Sequence, residues 1–138
     1  MNAADNNWND LDNKTLAPQS FAWRDIQGQD LWQAFTPVFG SLTVVGGTTY
    51  SGRLRLVGRE CQFQAQFSAS TSIASVAGTD YMNLPITAKG VTGEAVMTNF
   101  TTKVAVGVCH LDVSTSRCYL PTQIASANTF NLSGRYEI

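Results

Sequence analysis

The residues that could do chemistry are few in this chain, and they are scattered. The one histidine, His110, follows Cys109. An imidazole beside a thiol is the raw material of a nucleophile–base pair. Adjacent residues on a strand point to opposite faces, however, and KVAVGVCHLD (103–112) reads as a strand. There is no second imidazole with which to share a zinc ion, and CH-x7-C fits no zinc-ligand spacing. His110 is therefore expected to be structural. Glu60, Glu94 and Glu137 are dispersed, and Asp80 and Asp112 sit at expected loop ends. No spacing pairs two of these carboxylates as the acid and base of glycoside hydrolysis. The sequence contains neither a Gly-rich phosphate loop nor a nucleophile elbow. It points away from an enzyme and offers no site for a metal or a cofactor.

The aromatic residues are the other candidates. Trp8, Trp23, Trp32, Tyr50, Tyr81 and Tyr119 carry rings that stack on sugars when exposed among polar neighbours. Trp32 lies close to Phe35 and Pro37, and reads as core or interface rather than a sugar platform.

Composition narrows the function classes. Only 14% of the 138 residues are charged, well below the usual quarter. Thr, Ser, Asn and Gln do the solvating instead, which suits many neutral contacts, with copies of the chain or with sugars. A net charge of −1 argues against nucleic-acid binding, which calls for a basic patch. Arg53, Arg55 and Arg59 do cluster, and read as a solvated strand face rather than a phosphate or acidic-sugar site. No run approaches the ~20 apolar residues of a membrane span, so no membrane insertion is expected. MNAADNNWNDLDNK (1–14) has neither a basic n-region nor an apolar h-region, so a signal peptide is not expected. Three cysteines, Cys61, Cys109 and Cys118, cannot make a disulfide framework. If the chain turns at Val113-Ser114, Cys109 and Cys118 face each other and could bridge. Reduced, buried thiols are the expectation for a protein made in a cytoplasm.

The elements that must position these residues are strands. In Tyr50–Ser70, Cys61, Phe63, Ala65 and Phe67 alternate with Gln62, Gln64 and Gln66, the period-two signature of a half-buried strand. Leu54 and Leu56 alternate in the same way with Arg53 and Arg55. Val57-Gly58-Arg59-Glu60 is short enough for a hairpin turn, with Gly58 free to take positive φ. Upstream, Trp32 and Phe35 would share a face in one helical turn ended by Pro37. Leu42–Val45 is a short strand and Gly46-Gly47 a turn. Thr71–Gly78 reads as a small-residue loop or irregular edge. Asp80–Thr87 reads as a strand stopped by Pro85. Glu94–Phe100 and Lys103–Asp112 form the next pair, the second apolar on both faces, as for a strand covered on both sides. In Thr129–Ile138, Phe130, Leu132, Tyr136 and Ile138 point one way. Strands at this spacing imply an all-β, antiparallel β-sandwich of jelly-roll type over residues 31–138.

Residues 1–30 differ from the rest. They are rich in Asn and Asp and have no apolar core of their own. This extended polar arm is expected to order by lying on something else. Trp8, Phe21 and Trp23 are its anchors, on its own domain or on a neighbour, and Trp32 and Phe35 continue that assembly surface.

Several motifs together resemble a known group. W-x-x-F-T-P (Trp32–Pro37) is followed by G-x-L-x-L-V-G-R (Gly52–Arg59) and CQFQAQFSAS. Leu84-Pro85, Leu120-Pro121 and the final NLSGRYEI (Asn131–Ile138) come after. This order is similar to the C-terminal β-sandwich domains of tailed-phage tail fibres, tailspikes and related small virion appendage proteins. The resemblance implies a bacteriophage structural protein, made in the host cytoplasm and located in the virion. It implies a homotrimer that takes part in assembly and host attachment, with receptor binding to a host-surface glycan. The arm would then dock on other virion proteins. The absence of an enzymatic or long fibrous part suggests a free-standing small subunit, with apolar side chains, those of the terminal strand among them, meeting at the three-fold axis. Two rivals stay open: a capsid decoration (cement) or head-fibre protein, and a free carbohydrate-binding module. Receptor sites in this group are variable loops, so no ligand contact is carried over.

Overall fold

The computed structural model describes residues 31–90 and 92–138; the expectations for the arm, including Trp8, Phe21 and Trp23, lie outside the described residues. Among the described residues the chain is all-β and every strand pairing is antiparallel. The strands are β1 (Gln33–Phe35), β2 (Phe39–Gly40), β3 (Thr43–Val45), β4 (Thr48–Val57), β5 (Glu60–Ala69) and β6 (Ser72–Ser75). They continue as β7 (Tyr81–Asn83), β8 (Gly93–Asn99), β9 (Val104–Asp112), β10 (Arg117–Tyr119), β11 (Gln123–Ser126) and β12 (Phe130–Glu137). Nine form one sheet in the order β1-β4-β5-β12-β8-β9-β10-β7-β2, and three form a second in the order β11-β6-β3.

The large sheet curls onto itself. At ordinary strand spacing, six steps would hold β2 about 29 Å from β5 in a flat sheet. Yet Phe39 of β2 packs with ring centroids 4.7 Å from Phe67 of β5 and 5.1 Å from Tyr50 of β4. The space enclosed by the curl is the core. Phe63, Phe67, Met82, Met97, Cys118, Phe130, Leu132 and Tyr136 fill it, together with Ile73 from the small sheet. Phe67 and Phe130 stack at 5.8 Å, and Phe63 and Tyr136 meet at 5.9 Å. Gly134 is a glycine because the backbones close up there. A Cβ at that position would fall 2.6 Å from the Ala95 Cβ and 2.9 Å from the Phe63 ring.

The central hairpin follows the sequence pattern. β4 and β5 pair from Thr48↔Ala69 to Val57↔Glu60, and Gly58 holds the turn at φ 61°. The later turns are built by side chains that accept hydrogen bonds from the backbone ahead of them. Asn99 Oδ1 accepts from the Thr101 and Thr102 amides at 3.0 and 3.1 Å. Asp112 Oδ1 accepts from the Ser114 amide at 3.0 Å. The two Leu-Pro elements close one ladder. β7 and β10, which precede them, pair through Cys118↔Met82, and Leu84 and Leu120 donate to Ser116 O and Asp80 O, each at 2.9 Å.

Four expectations change. The Trp32–Pro37 segment is no helical turn; it is the edge strand β1 on β4. A spacing of three puts Trp32 and Phe35 on opposite faces of a strand. Thr71–Gly78 is not a loop or edge, because β6 within it is the middle strand of the small sheet, with Ile73 and Ser75 buried. β9 is not covered on both sides: its register with β8 shifts between Met97 and Thr98, and Val104 and Val108 are 59% and 77% exposed. The shift is a bulge at Val106, which turns that side chain against the core. Finally, the apolar side of β12 is not left over for a three-fold axis. β12 lies between β5 and β8, and Phe130, Leu132 and Tyr136 are sealed in the chain's own core.

Candidate functional site

Strand alternation that buries one set of side chains presents the other set on the convex, outer face of the large sheet. Register aligns this set in rows across β4, β5, β12, β8 and β9. One row is Arg55, Gln62, Arg135 and Glu94. The next is Arg53, Gln64, Ser133, Val96 and Val108. A third is Ser51, Gln66, Asn131, Thr98 and Ala105.

Neighbours in these rows hold one another. Arg53 Nε donates to Gln64 Oε1 at 2.9 Å, and Arg55 Nε to Gln62 Oε1 at 2.8 Å. Gln62 Nε2 donates to Glu60 Oε1 at 2.9 Å, and Gln66 Nε2 to Asn131 Oδ1 at 3.0 Å. Arg135 pairs with Glu94 at 3.0 Å. Trp32 lies on the same face, its ring 4.6 and 4.9 Å from the Arg53 and Arg55 guanidinium carbons. That stack adds to the hydrogen bonds that already hold the two long side chains. Two shallow hollows result. One of about 470 Å³ is floored by Gln64, Gln66, Asn131 and Ser133, and one of about 510 Å³ runs from Trp32 and Arg55 to Val96 and Val108.

The outer face continues over β9, β10, β7 and β2. Here His110, Tyr119, Tyr81 and Gly40 align, with Asp112, Arg117 and Asn83 in the adjacent row. Tyr81 and Tyr119 meet edge to face at 5.5 Å, and His110 lies 6.3 Å from Tyr119. The Arg117 guanidinium covers the Tyr81 ring at 4.1 Å. The Tyr81 ring occupies the space a side chain at Gly40 would need.

Burial and hydrogen bonds act on the titratable side chains of Cys61, Cys118, Tyr136 and Asp112. Burial pushes the Cys61 thiol up. A hydrogen bond with Cys109, reinforced by burial, pushes the Cys118 thiol up. Neither is a thiolate nucleophile at neutral pH. The three cysteines are free thiols, and Cys118 stands opposite Leu111, with Cys109 on the diagonal. Burial also raises the Tyr136 phenol, which donates to Ile86 O at 2.7 Å and accepts from the Ile86 amide at 3.0 Å. Hydrogen bonds from Ser114 and Thr115 hold Asp112 below the usual carboxylate range, so it is an acceptor. Among the described residues no three His, Cys, Asp or Glu side chains gather to hold a metal ion, and no helix is long and apolar enough to cross a membrane.

Of the residues singled out from sequence, Trp32 is half-buried on the outer face and Phe35 packs against the core. The structure therefore separates this pair. It assembles instead a set that sequence reading left apart: His110, Tyr119, Tyr81 and Arg117. The signal was present in the repeated Leu-Pro ending, since the residues before each of these dipeptides form the two strands that pair. No protein-family model, curated protein or solved structure matches this chain.

Proposed function

We propose that this chain is a non-catalytic structural subunit of a bacteriophage particle, a small trimeric appendage of the tail-fibre or tailspike kind. In this reading residues 1–30 attach it to other virion proteins, and the outer face of the large sheet contacts a host-surface glycan. The observation that carries the recognition role is that face. It is an open field in which Gln, Asn, Ser and Thr side chains stand among Arg53, Arg55 and the Arg135–Glu94 pair, held in register and bordered by Trp32. Planar amides and guanidinia aligned in rows offer donors and acceptors at fixed spacing, as sugar hydroxyls require. Each such contact is weak, and three copies on one particle would add their effects through avidity.

A capsid decoration role is the second reading. It is favoured by apolar surface away from that face: Val44, Val45, Val76 and Ile124 around the small sheet are all substantially exposed. A subunit that cements a shell touches neighbours on several sides.

Light scattering on the chain with and without residues 1–30, combined with an array of bacterial surface polysaccharides, tests the proposal. A trimer in both forms that binds a polysaccharide, and loses binding in Trp32→Ala, supports it. A monomer throughout with no glycan bound, found by electron microscopy on the capsid, favours the decoration role. Cleavage of a polysaccharide that one Asp or Glu substitution abolishes would overturn the non-catalytic assignment.

A further inference from the structure

We infer that the hollow beside Tyr119 and His110 is a distinct sugar subsite that takes a single neutral pyranose ring. The inference rests on the glycan-recognition reading and gives it a ligand class. The hollow, of about 400 Å³, lies between β9–β10 and the turn at Ala77-Gly78. Its volume falls in the range of small-ligand sites.

Two sides of the hollow differ in chemistry. Val108, Tyr119 and Pro121 give an apolar wall, and His110, Asp112 and Thr122 give a polar rim. A pyranose has the matching division, with C–H bonds on its faces and hydroxyls around its edge. Val108 is 77% exposed, which leaves apolar surface in water until something covers it. An aliphatic or aromatic ligand would cover that wall but make no use of the polar rim.

The rim is held in place before any ligand arrives. Asp112 Oδ1 accepts from the Ser114 hydroxyl at 2.6 Å and Oδ2 from the Thr115 hydroxyl at 2.8 Å, which fixes the carboxylate. Each oxygen has two lone pairs, so Oδ2 has one left for a sugar hydroxyl. Thr122 Oγ1 accepts from the Ala77 amide at 3.0 Å and ties the turn to the strand side. The turn itself is closed by Asp80, whose Oδ2 accepts from the Val76 amide at 2.8 Å.

Charge decides between sugar classes. The ionised Asp112 lines the hollow, while Arg117, opposite it in the ladder, holds its guanidinium over the Tyr81 ring and is not part of the lining. A uronic or sialic acid would meet the like charge of Asp112 in the lining itself. A neutral hexose meets an acceptor for its hydroxyls.

The chain has one histidine, so its imidazole C–H signals are a unique proton NMR reporter of this hollow. The full-length chain is titrated with the methyl glycosides of glucose, galactose and mannose, and with glucuronic and sialic acids. The expected result is a saturable shift of the His110 signals with at least one neutral glycoside, at millimolar concentration, and none with the acids. Tyr119→Ala should weaken that binding by about tenfold or more. Val108→Lys, at an exposed position where folding is not at risk, should weaken it as well. Wild-type binding to the polysaccharide array is measured in parallel. If array binding is present while the His110 signals stay silent, the subsite is overturned and the glycan reading stands. If neither responds, both fall. A shift with the acidic sugars alone, or one unchanged in both variants, also overturns the inference.

Discussion

The two faces of β5 differ by one residue step and by their whole physical role. Cys61, Phe63, Ala65 and Phe67 are sealed under the curl of the sheet, whereas Gln62, Gln64 and Gln66 stand outside and bond sideways to β4 and β12. The inner set stabilises through removal from water, so its value depends on volume and fit. The outer set is held by polar contacts open to solvent, which are worth little to stability. On the proposed reading the same strands separate stability from recognition, and substitution on one face should leave the property carried by the other.

The largest effect is expected inside. Phe67 packs between Phe39 and Phe130, so Phe67→Ala should cost about 3–5 kcal/mol in chemical denaturation. A loss under about 1 kcal/mol would mean that the curl is not held by this cluster. Tyr136→Phe is a smaller test of the same face. Both groups of the Ile86 peptide lose their partner in that variant, at a cost of about 1–2 kcal/mol. Its pH dependence has a definite sign. The folded-state pKa of Tyr136 is raised by burial, so the folded state retains a proton that the unfolded chain releases near pH 10. The stabilisation is full below that pH and is lost as pH rises beyond it. Thermal unfolding between pH 8 and 11 should show a shallower alkaline fall in Tyr136→Phe than in the wild type. The smallest effect is expected outside. Gln64→Ala should stay within about 0.5 kcal/mol of wild type in stability, yet lower polysaccharide binding severalfold. A stability loss as large as that of Tyr136→Phe would erase the contrast between the faces.

Much of the inner face was legible in the sequence, because it is written in period two. β5 and β12 alternate cleanly, and their apolar positions are the buried ones. What escaped reading depends on partners distant in the chain. The Trp32–Phe35 spacing fits a helix as well as any other element until β4 is known to lie beside it. Val104–Val108 looks like a strand sandwiched on both sides, and only the bulge at Val106 explains which valines stay outside. The outer-face rows were invisible for the same reason. Each joins residues of separate strands, such as Gln66 and Asn131, whose meeting is decided by register rather than by local pattern. His110, read alone, had no partner; the register of β9 with β10 gives it Tyr119 for a neighbour.

The position of β12 has a consequence for how the molecule comes into being. It follows every other strand in the chain and yet lies between β5 and β8, joined to each along nearly its full length. During synthesis β1, β4 and β5 can pair on one side of the place β12 will take, and β8, β9, β10, β7 and β2 on the other. The two parts share no strand pairing until Phe130–Glu137 has emerged. Insertion of this one segment bridges the halves, so native pairing is delayed to the end and then completed cooperatively. A chain that ends before residue 130 therefore has two unjoined parts of the large sheet and not a smaller version of the domain.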